Sequence, residues 1–420
     1  MLIEFRVSNF RSVLHEQTLS LVKAGGDQLL SNTIEVNGAN KHQLLKSSVL
    51  YGANASGKSN FLKALAYMRQ IVVTSSQRGN ALPITPFKLN NISVESPSEF
   101  EASFIVNNVR YQYGFSATNE QVIDEWLFAY PKGRAQKWFE RVWDSEEKKH
   151  VYSFSSNLTG KKLVWQDSTR SNALFLSTAV QLNSEQLKPV FDWFKNTLHF
   201  VGIDGCTPQF SAQSCLDGNQ EKILGLLKTA DFHIDDLQIK SEDFKPSVLP
   251  DQMPNELKEL LIKEMKGSQV LKINTIHRNN LGEKIAFDFK EESDGTQRFF
   301  SLSGPLFDVL LNGCVLIVDE LDSSLHPELV KFLVNIFHDK AWNVNNAQLI
   351  FSTHDTSILN GEVFRRDQIW FCQKDREEQF TKLYSLSDFK PLKGEENLEA
   401  FYLSGKFGAL PFIDDFFMEK

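Results

Sequence analysis

Eight consecutive residues, Gly52-Ala53-Asn54-Ala55-Ser56-Gly57-Lys58-Ser59, follow the pattern G-x-x-x-x-G-K-S/T without a departure. Glycines in such a loop let the backbone turn tightly and direct its N–H groups inward, and a helix starting there adds the positive end of its dipole. An anion belongs at that place. The pattern predicts a cradle for the phosphates of a nucleoside triphosphate, with Lys58 reaching the outer phosphates and the Ser59 hydroxyl ligating an accompanying magnesium ion. Asn54, Ala55, Ser56, Gly57 and Asn60 complete the contact set expected of the loop.

A second group of residues could do chemistry on those phosphates. The apolar run Cys314–Val318 is short, ends in Asp319-Glu320, and reads as a buried parallel strand. Carboxylates at the C-terminal end of such a strand lie where ligands bind in open α/β sheets. Asp319 is then placed to hold magnesium, and Glu320 to orient or deprotonate the attacking water. A later buried strand, Gln348–Ser352, ends at Thr353-His354-Asp355, where His354 can hydrogen-bond the terminal phosphate and the attacking water. Alone, these would read as a solvated acidic turn and a structural histidine. The phosphate loop in the same chain makes Glu320, His354 and Lys58 catalytic candidates and Ser59 and Asp319 metal ligands.

Residues 291–298, EESDGTQR, offer a third feature. Gly295 permits a tight start to a helix, and the Ser293 hydroxyl stands beside its N-terminal amides, with Gln297 one turn on. That is either an ordinary helix cap or a second anion site. One nucleotide rarely needs two cradles, so this one is expected to serve the nucleotide of a partner subunit.

The elements that must hold these residues are visible in the hydrophobic pattern. Ser47–Tyr51 reads as the strand feeding the loop and Asn60–Arg69 as the helix leaving it. Leu2–Val7 and Thr18–Val22 read as strands joined by the turn Asn9-Phe10-Arg11-Ser12, and 24–43 as a loop. Alternation over Phe100–Val106 and Val109–Phe115 around Asn107-Asn108 gives a hairpin, with further strands, Trp126–Tyr130 and Trp138–Trp143 among them, to about residue 165. A helix is expected from Ser184, bent by Pro189, and others over Asn219–Lys228, Pro254–Lys266 and Pro327–Phe337. Strands are expected at Gln269–Ile276 and Lys284–Phe289, and irregular loops at 204–220 and 241–255.

Composition sets wide bounds. A chain of 420 residues with 41% hydrophobic and 23% charged residues is long enough for two or three domains with ordinary globular cores. Its net charge, 45 minus 53 or −8, gives no basic field of the kind that advertises nucleic acid, although a local basic groove remains open. The N-terminus has no secretory pattern and no apolar run is long enough to span a bilayer. Cys206, Cys215, Cys314 and Cys372 have neither metal-site nor disulfide-framework spacing, which fits a reducing cytoplasm.

Taken in order, these motifs resemble an ATPase of the ABC class, on the branch with RecF and the SMC-type proteins. The resemblance runs from Asn9-Phe10-Arg11-Ser12 through the Walker A loop (52–59), the signature (293–297), the Walker B strand (315–320), the D-loop (321–325) and the switch histidine His354. The wording GANASGKSN, SDGTQRF, DELDSSLHPEL and STHD, the phrase PFKLN at 86–90 and the ending YLSGKFGALPF are similar to the RloA and AbiLi type of prokaryotic ATPase, associated with restriction loci, abortive infection and phage defence. Residues 200–265 carry no part of the resemblance. The signature reads S-D-G-T-Q rather than L-S-G-G-Q, and the Q-loop glutamine has only a candidate, Gln181.

What the resemblance implies is an α/β, ABC-type head: a P-loop parallel sheet and an antiparallel β subdomain, with a mixed β-rich and helical insertion lobe. The expected divisions are 1–82 (head, Walker A), 83–180 (β-rich insertion), 181–290 (helical or mixed lobe) and 291–420 (head, with signature, Walker B, D-loop and histidine). The resemblance also implies ATP and magnesium as cofactors and a homodimer, or a higher homo-oligomer, with two nucleotides shared between paired heads. Lys58, Ser59, Asp319, Glu320 and His354 of one subunit would face Ser293 and Gly295 of the other, and Arg11 would lie near the nucleotide. The implied function is an ATP-hydrolysing switch governing a separate nuclease or toxin. Alternatives are an ATP-bound scaffold without turnover and a DNA-clamping ATPase of the repair kind. A small-molecule kinase or a GTPase would explain neither the signature nor His354.

Overall fold

The computed structural model describes residues 1–36, 43–77, 81–202, 207–244, 258–259, 262, 269–390 and 397–411. The chain divides into two compact units. The first comprises Met1–Asp204, Val309–Asp322 and Pro327–Lys420; the second comprises Gly205–Asp308 and Ser323–His326.

In the first unit the chain begins with β1 (Leu2–Ser8), β2 (Gln17–Ser20), the short pair β3 (Thr33–Glu35) and β4 (Gln43–Leu45), and β5 (Ser47–Tyr51). The phosphate loop follows, then α1 (Lys58–Thr74) and one turn of helix, α2 (Asn91–Glu95). A meander β6 (Ser98–Val106), β7 (Val109–Ala117), β8 (Val122–Tyr130), β9 (Gln136–Asp144) and β10 (Lys149–Phe154) comes next. α3 (Lys162–Ser168), α4 (Phe175–Gln181) and α5 (Lys188–Thr197) lead into β11 (Leu198–Val201). The second unit holds α6 (Gln209–Ser214), α7 (Gln220–Thr229), the antiparallel strands β12 (Asp236–Asp243), β13 (Gln269–Arg278) and β14 (Lys284–Asp288), and the start of α8 (Asp294–Asn312). The chain then supplies the first unit with β15 (Val315–Val318), α9 (Pro327–His338), β16 (Gln348–Ser352), β17 (Ile369–Lys374), β18 (Thr381–Ser385) and α10 (Leu398–Leu403).

Among the described residues the first unit has two large sheets. One runs β10-β9-β8-β7-β6-β1-β2 and is antiparallel throughout. The other runs β11-β15-β16-β5-β17-β18 and is parallel except at β18. β5, β15 and β16 are buried along their whole length, which is why their apolar residues fall in continuous stretches (Val49–Tyr51, Val315–Val318, Leu349–Phe351) rather than in alternation. α1 buries Phe61, Leu62, Leu65, Met68 and Val72, spaced to lie on one helical stripe, and its Phe61 ring meets Phe5 of β1 edge-on at 5.6 Å. One core cluster joins Phe5, Phe100 and Phe104 of the antiparallel sheet to Leu50, Ile317 and Ile350 of the parallel one. Phe104 stacks on Trp193 of α5 with centroids 3.9 Å apart. A fully buried carboxylate, Glu125 of β8, accepts from the Phe175 and Leu176 N–H groups that open α4, which fastens that helix to the sheet.

Several expectations change in detail. The strands expected as an insertion over 83–180 pair directly with β1, so they supply most of the sheet in which β1 and β2 lie; alternation reports a half-buried strand, not which sheet it joins. The helix expected from Ser184 with a bend at Pro189 instead begins at Lys188, with the proline in its first turn, where the missing N–H costs nothing. Within 204–220, expected as loop, α6 and a π-type turn at Cys215–Asn219 form. The loop expected at 24–43 contains β3. Pro254–Lys266, apart from 258, 259 and 262, lies outside the described residues, as does Cys206. No helix among the described residues is long and apolar enough to cross a membrane.

Candidate functional site

β5 delivers the chain to Gly52 at the C-terminal edge of the parallel sheet. The loop that follows uses left-handed backbone at Ala55 (φ 61°) and Gly57 (φ 107°). A Cβ at Gly57 would run into the Thr381 hydroxyl, so this position needs glycine for space as well as for conformation. Lys58 opens α1, and its Nζ donates to the carbonyls of Gly52 (2.6 Å) and Ala53 (3.2 Å). The amine is buried, which lowers its pKa, while Cys372 and the carboxylates Asp319, Glu320 and Asp322 act in the opposite direction. The Ser56 hydroxyl, buried at 2% exposure, has no hydrogen-bond partner. A buried unpaired hydroxyl beside a desolvated cation costs stability unless a polar ligand arrives.

β15 and β16 end beside one another and place their acidic and histidine residues at this edge. Ser352, the last residue of β16, donates from Oγ to Asp319 Oδ1 (2.6 Å) and accepts from the Glu320 N–H (2.8 Å). One hydroxyl therefore holds the Asp319 carboxylate and the Glu320 backbone. Glu320 itself adopts φ 52°, a costly conformation outside glycine and one found at sites where geometry matters more than comfort. The His354 N–H donates to Asp322 Oδ2 (3.2 Å), leaving the imidazole exposed.

A cleft of about 850 Å³ is lined by Asn54–Asn60, Glu320 and His354 together with Arg11, Ser12 and Thr85–Leu89. Arg11 also has left-handed backbone (φ 51°); its Nη2 donates to the Tyr67 hydroxyl (2.8 Å) and its guanidinium lies 5.0 Å from that ring's centre. The structure thus brings Arg11, Asn54, Ala55, Ser56, Gly57, Lys58, Ser59, Asn60, Glu320 and His354 to one cleft; Asp319 does not line it but precedes Glu320 and shares the Ser352 hydroxyl with it. The donor set fits the expected group: a hydroxyl and a carboxylate oxygen suit a hard divalent cation that keeps phosphate and water ligands, and Lys58 with the loop amides suits the phosphates.

The signature residues belong to the second unit. Ser293 Oγ accepts from the Thr296 N–H (3.2 Å), so it caps α8, and Gln297 Nε2 donates to the Glu292 carbonyl (2.8 Å). A Cβ on Gly295 would come within 2.9 Å of the Ser324 carbonyl, so the D-loop lies against the signature within that unit. Gln181 does not reach the nucleotide cleft; it lines a separate cavity with Ser168, Arg170 and Thr178, because it ends a helix packed on the antiparallel sheet. Sequence reasoning did not single out Ser352, although a hydroxyl two residues before His354 was visible, nor Tyr67 or Thr381, for which no local pattern existed.

A parallel sheet carrying phosphate loop, carboxylate pair and histidine on one edge, backed by an antiparallel sheet, defines an ABC-like nucleotide-binding ATPase head. The chain belongs to the family described as "AAA domain, putative AbiEii toxin, Type IV TA system", which matches residues 47–360. Among solved structures it is similar to the SMC head domain from Thermotoga maritima, at 10% identity and TM-score 0.37 over 91% of this chain and 98% of that one. It is similar to an Smc head domain with an extended coiled coil bound to the C-terminal domain of ScpA, derived from Pyrococcus furiosus, at 10% identity and TM-score 0.38 over 91% and 96%. A third is the recombination mediator protein RecF-ATPrS of the RecFOR pathway, at 14% identity and TM-score 0.36 over 91% and 98%. No curated protein matches the chain.

Proposed function

We propose that the chain binds magnesium-ATP in the cleft, hydrolyses it, and works as one of two heads that close around shared nucleotides to switch a separate effector, a nuclease or toxin, in antiviral defence. The observation that carries the hydrolytic part is the Ser352 hydroxyl, which fixes Asp319 and Glu320 together at the edge where the phosphate loop ends. A chain needing ATP only as glue would gain nothing from a Glu320 held in a strained backbone conformation.

In this reading Lys58 leaves its two loop carbonyls for the outer phosphates, Ser56 finds its partner there, and Asn54–Gly57 contribute backbone amides. Ser59 and Asp319 would hold the magnesium ion, which supplies charge neutralisation on the phosphates. Glu320 accepts a proton from the attacking water, and His354 donates to the terminal phosphate. Ser293, Gly295 and Gln297 of a second copy would cover the phosphate from the far side, a two-fold arrangement with the same patch used twice. Closure then has a physical driver, since the terminal phosphate touches both copies only in the closed state. The family description, with its toxin and toxin–antitoxin terms, supports a place in a toxin–antitoxin system; the separate effector is the proposal's own step.

The test measures ATP turnover and solution mass for wild type and Glu320→Gln, with and without magnesium. Expected are magnesium-dependent turnover in wild type, its loss by about 100-fold or more in the variant, and an ATP-dependent doubling of mass that persists in the variant. Constant mass with no turnover in either protein would favour the ATP-bound scaffold; salt-sensitive DNA binding with DNA-stimulated turnover would favour a repair-type clamp.

A further inference from the structure

We infer that Thr381, on β18, is a positioning residue for the phosphate loop: it holds the Ser56–Gly57 peptide with its N–H turned toward the phosphates. The inference rests on the proposed nucleotide site and names a part of its machinery that lies outside the cleft.

Four groups form a hydrogen-bonded row. Asn60 Nδ2 lies 3.0 Å from Ser12 Oγ, Ser12 Oγ 2.9 Å from Thr381 Oγ1, and Thr381 Oγ1 2.9 Å from the Ser56 carbonyl oxygen. A carbonyl only accepts, so the Thr381 hydroxyl donates to Ser56. Ser12 Oγ accepts from the Asn60 amide and lies within hydrogen-bond reach of the same Thr381 hydroxyl, which it helps to place. The Thr381 N–H also donates to the Ser12 carbonyl (2.7 Å), so β18 and the turn Asn9–Ser12 are joined through backbone as well.

The consequence lies in the planarity of the peptide. In a trans peptide the C=O and the following N–H point in opposite directions. Pinning the Ser56 carbonyl on Thr381 turns the Gly57 N–H the other way, and Ser56 and Gly57 line the cleft while Thr381 does not. Gly57, with its left-handed backbone and no side chain, is the residue at which an unpinned peptide would most easily flip. The Thr381 hydroxyl also fills the space that a Cβ at Gly57 would need, so the latch and the glycine depend on each other.

The experiment compares wild type, Thr381→Val, Thr381→Ser and Ser12→Ala by calorimetric binding of magnesium-AMP-PNP, by kcat and KM for ATP, and by melting temperature. Thr381→Val keeps the shape and removes the proton; the expected result is a Kd and KM about tenfold weaker with kcat within about twofold, and recovery in Thr381→Ser. A structural role alone would lower the melting temperature and leave Kd unmoved. A folded Thr381→Val that binds like wild type overturns the inference and leaves the nucleotide site standing, as does a Thr381→Ser variant no better than the valine. If Thr381→Val does not fold, Ser12→Ala decides: losing the hydroxyl that helps to place Thr381 Oγ1 is expected to weaken binding about threefold, and an unchanged Kd overturns the latch. Failure of wild type itself to bind the nucleotide is a different result, which sinks the ATP site and the latch with it.

Discussion

Where β16, β5 and β17 begin, the polar side chains of Gln348, Gln368, Ser47 and Lys46 are paired with one another or with backbone, although Ser48 Oγ and Trp370 Nε1 there have no partner. The Gln348 amide accepts from the Leu2 N–H and donates to the Leu2 and Leu45 carbonyls, and the Gln368 amide joins Ser47, Asn32 and the Arg365 N–H. Ser47 Oγ lies 2.8 Å from His338 Nε2, and the Lys46 ammonium donates to the His338 carbonyl. Where the strands β5, β15 and β16 end, backbone turns left-handed at Ala55 and Glu320, and Ser56 Oγ, Asp322 Oδ1 and Asp355 Oδ2 are buried with no hydrogen-bond partner. At one end the Gln348 and Gln368 network is satisfied internally and stabilises the fold; at the other, unpartnered groups beside the cleft give up stability that a polar ligand would restore.

Substitutions should therefore separate binding from folding according to the end they touch. The largest effect is expected at the unsatisfied end: Lys58→Ala should weaken magnesium-ATP binding by about 100-fold, roughly 2.7 kcal/mol, with no loss of melting temperature, since a desolvated cation is removed. A melting temperature that falls with affinity would blur the contrast. At the satisfied end, Gln348→Leu strands three backbone groups and should lower unfolding free energy by about 3 kcal/mol in denaturant titrations, with nucleotide Kd unchanged.

Acid should act through the satisfied end too. Burial, with Lys46 nearby, lowers the His338 pKa from its usual 6.5 to about 3. Below pH 6.5 the unfolded chain takes up a proton that the folded one refuses, so stability present above that pH is lost on acidification, by up to about 1.4 kcal/mol per pH unit. Melting temperature should fall from pH 6.5 to 5, and His338→Gln should flatten that slope; an identical slope in the variant would remove His338 as its source. The smallest effect belongs to Arg11→Lys, where losing the guanidinium over Tyr67 should weaken ATP binding about threefold and leave the melting temperature alone.

Much of this architecture could be read before any coordinates. The phosphate loop, the Asp319-Glu320 strand and His354 are contiguous motifs, and contiguity is what a sequence displays. The apolar runs at β5, β15 and β16 identified buried parallel strands because burial on both faces leaves no alternation. The strands of 98–154 were legible as strands, yet their membership in the β1 sheet depends on pairing between distant segments, which alternation does not encode. Pro189 was misleading because the same residue bends a helix or starts one, depending on which carbonyls surround it. Ser352 and Thr381 act through single hydroxyls brought in by other strands, and nothing near them in the chain announces a partner.

The phosphate loop is finished by residues far away in the order of synthesis: the Ala53 N–H donates to the Ala409 carbonyl, and Thr381 grips Ser56. In a trans peptide, holding that N–H also aims the Gly52 carbonyl the opposite way, and Lys58 Nζ sits 2.6 Å from it. A ribosome that has made only the first half of the protein has made the whole Gly52–Ser59 motif but not the parts that set its shape. A chain terminated before residues 381 and 409 therefore carries the motif and lacks the two contacts that complete the loop.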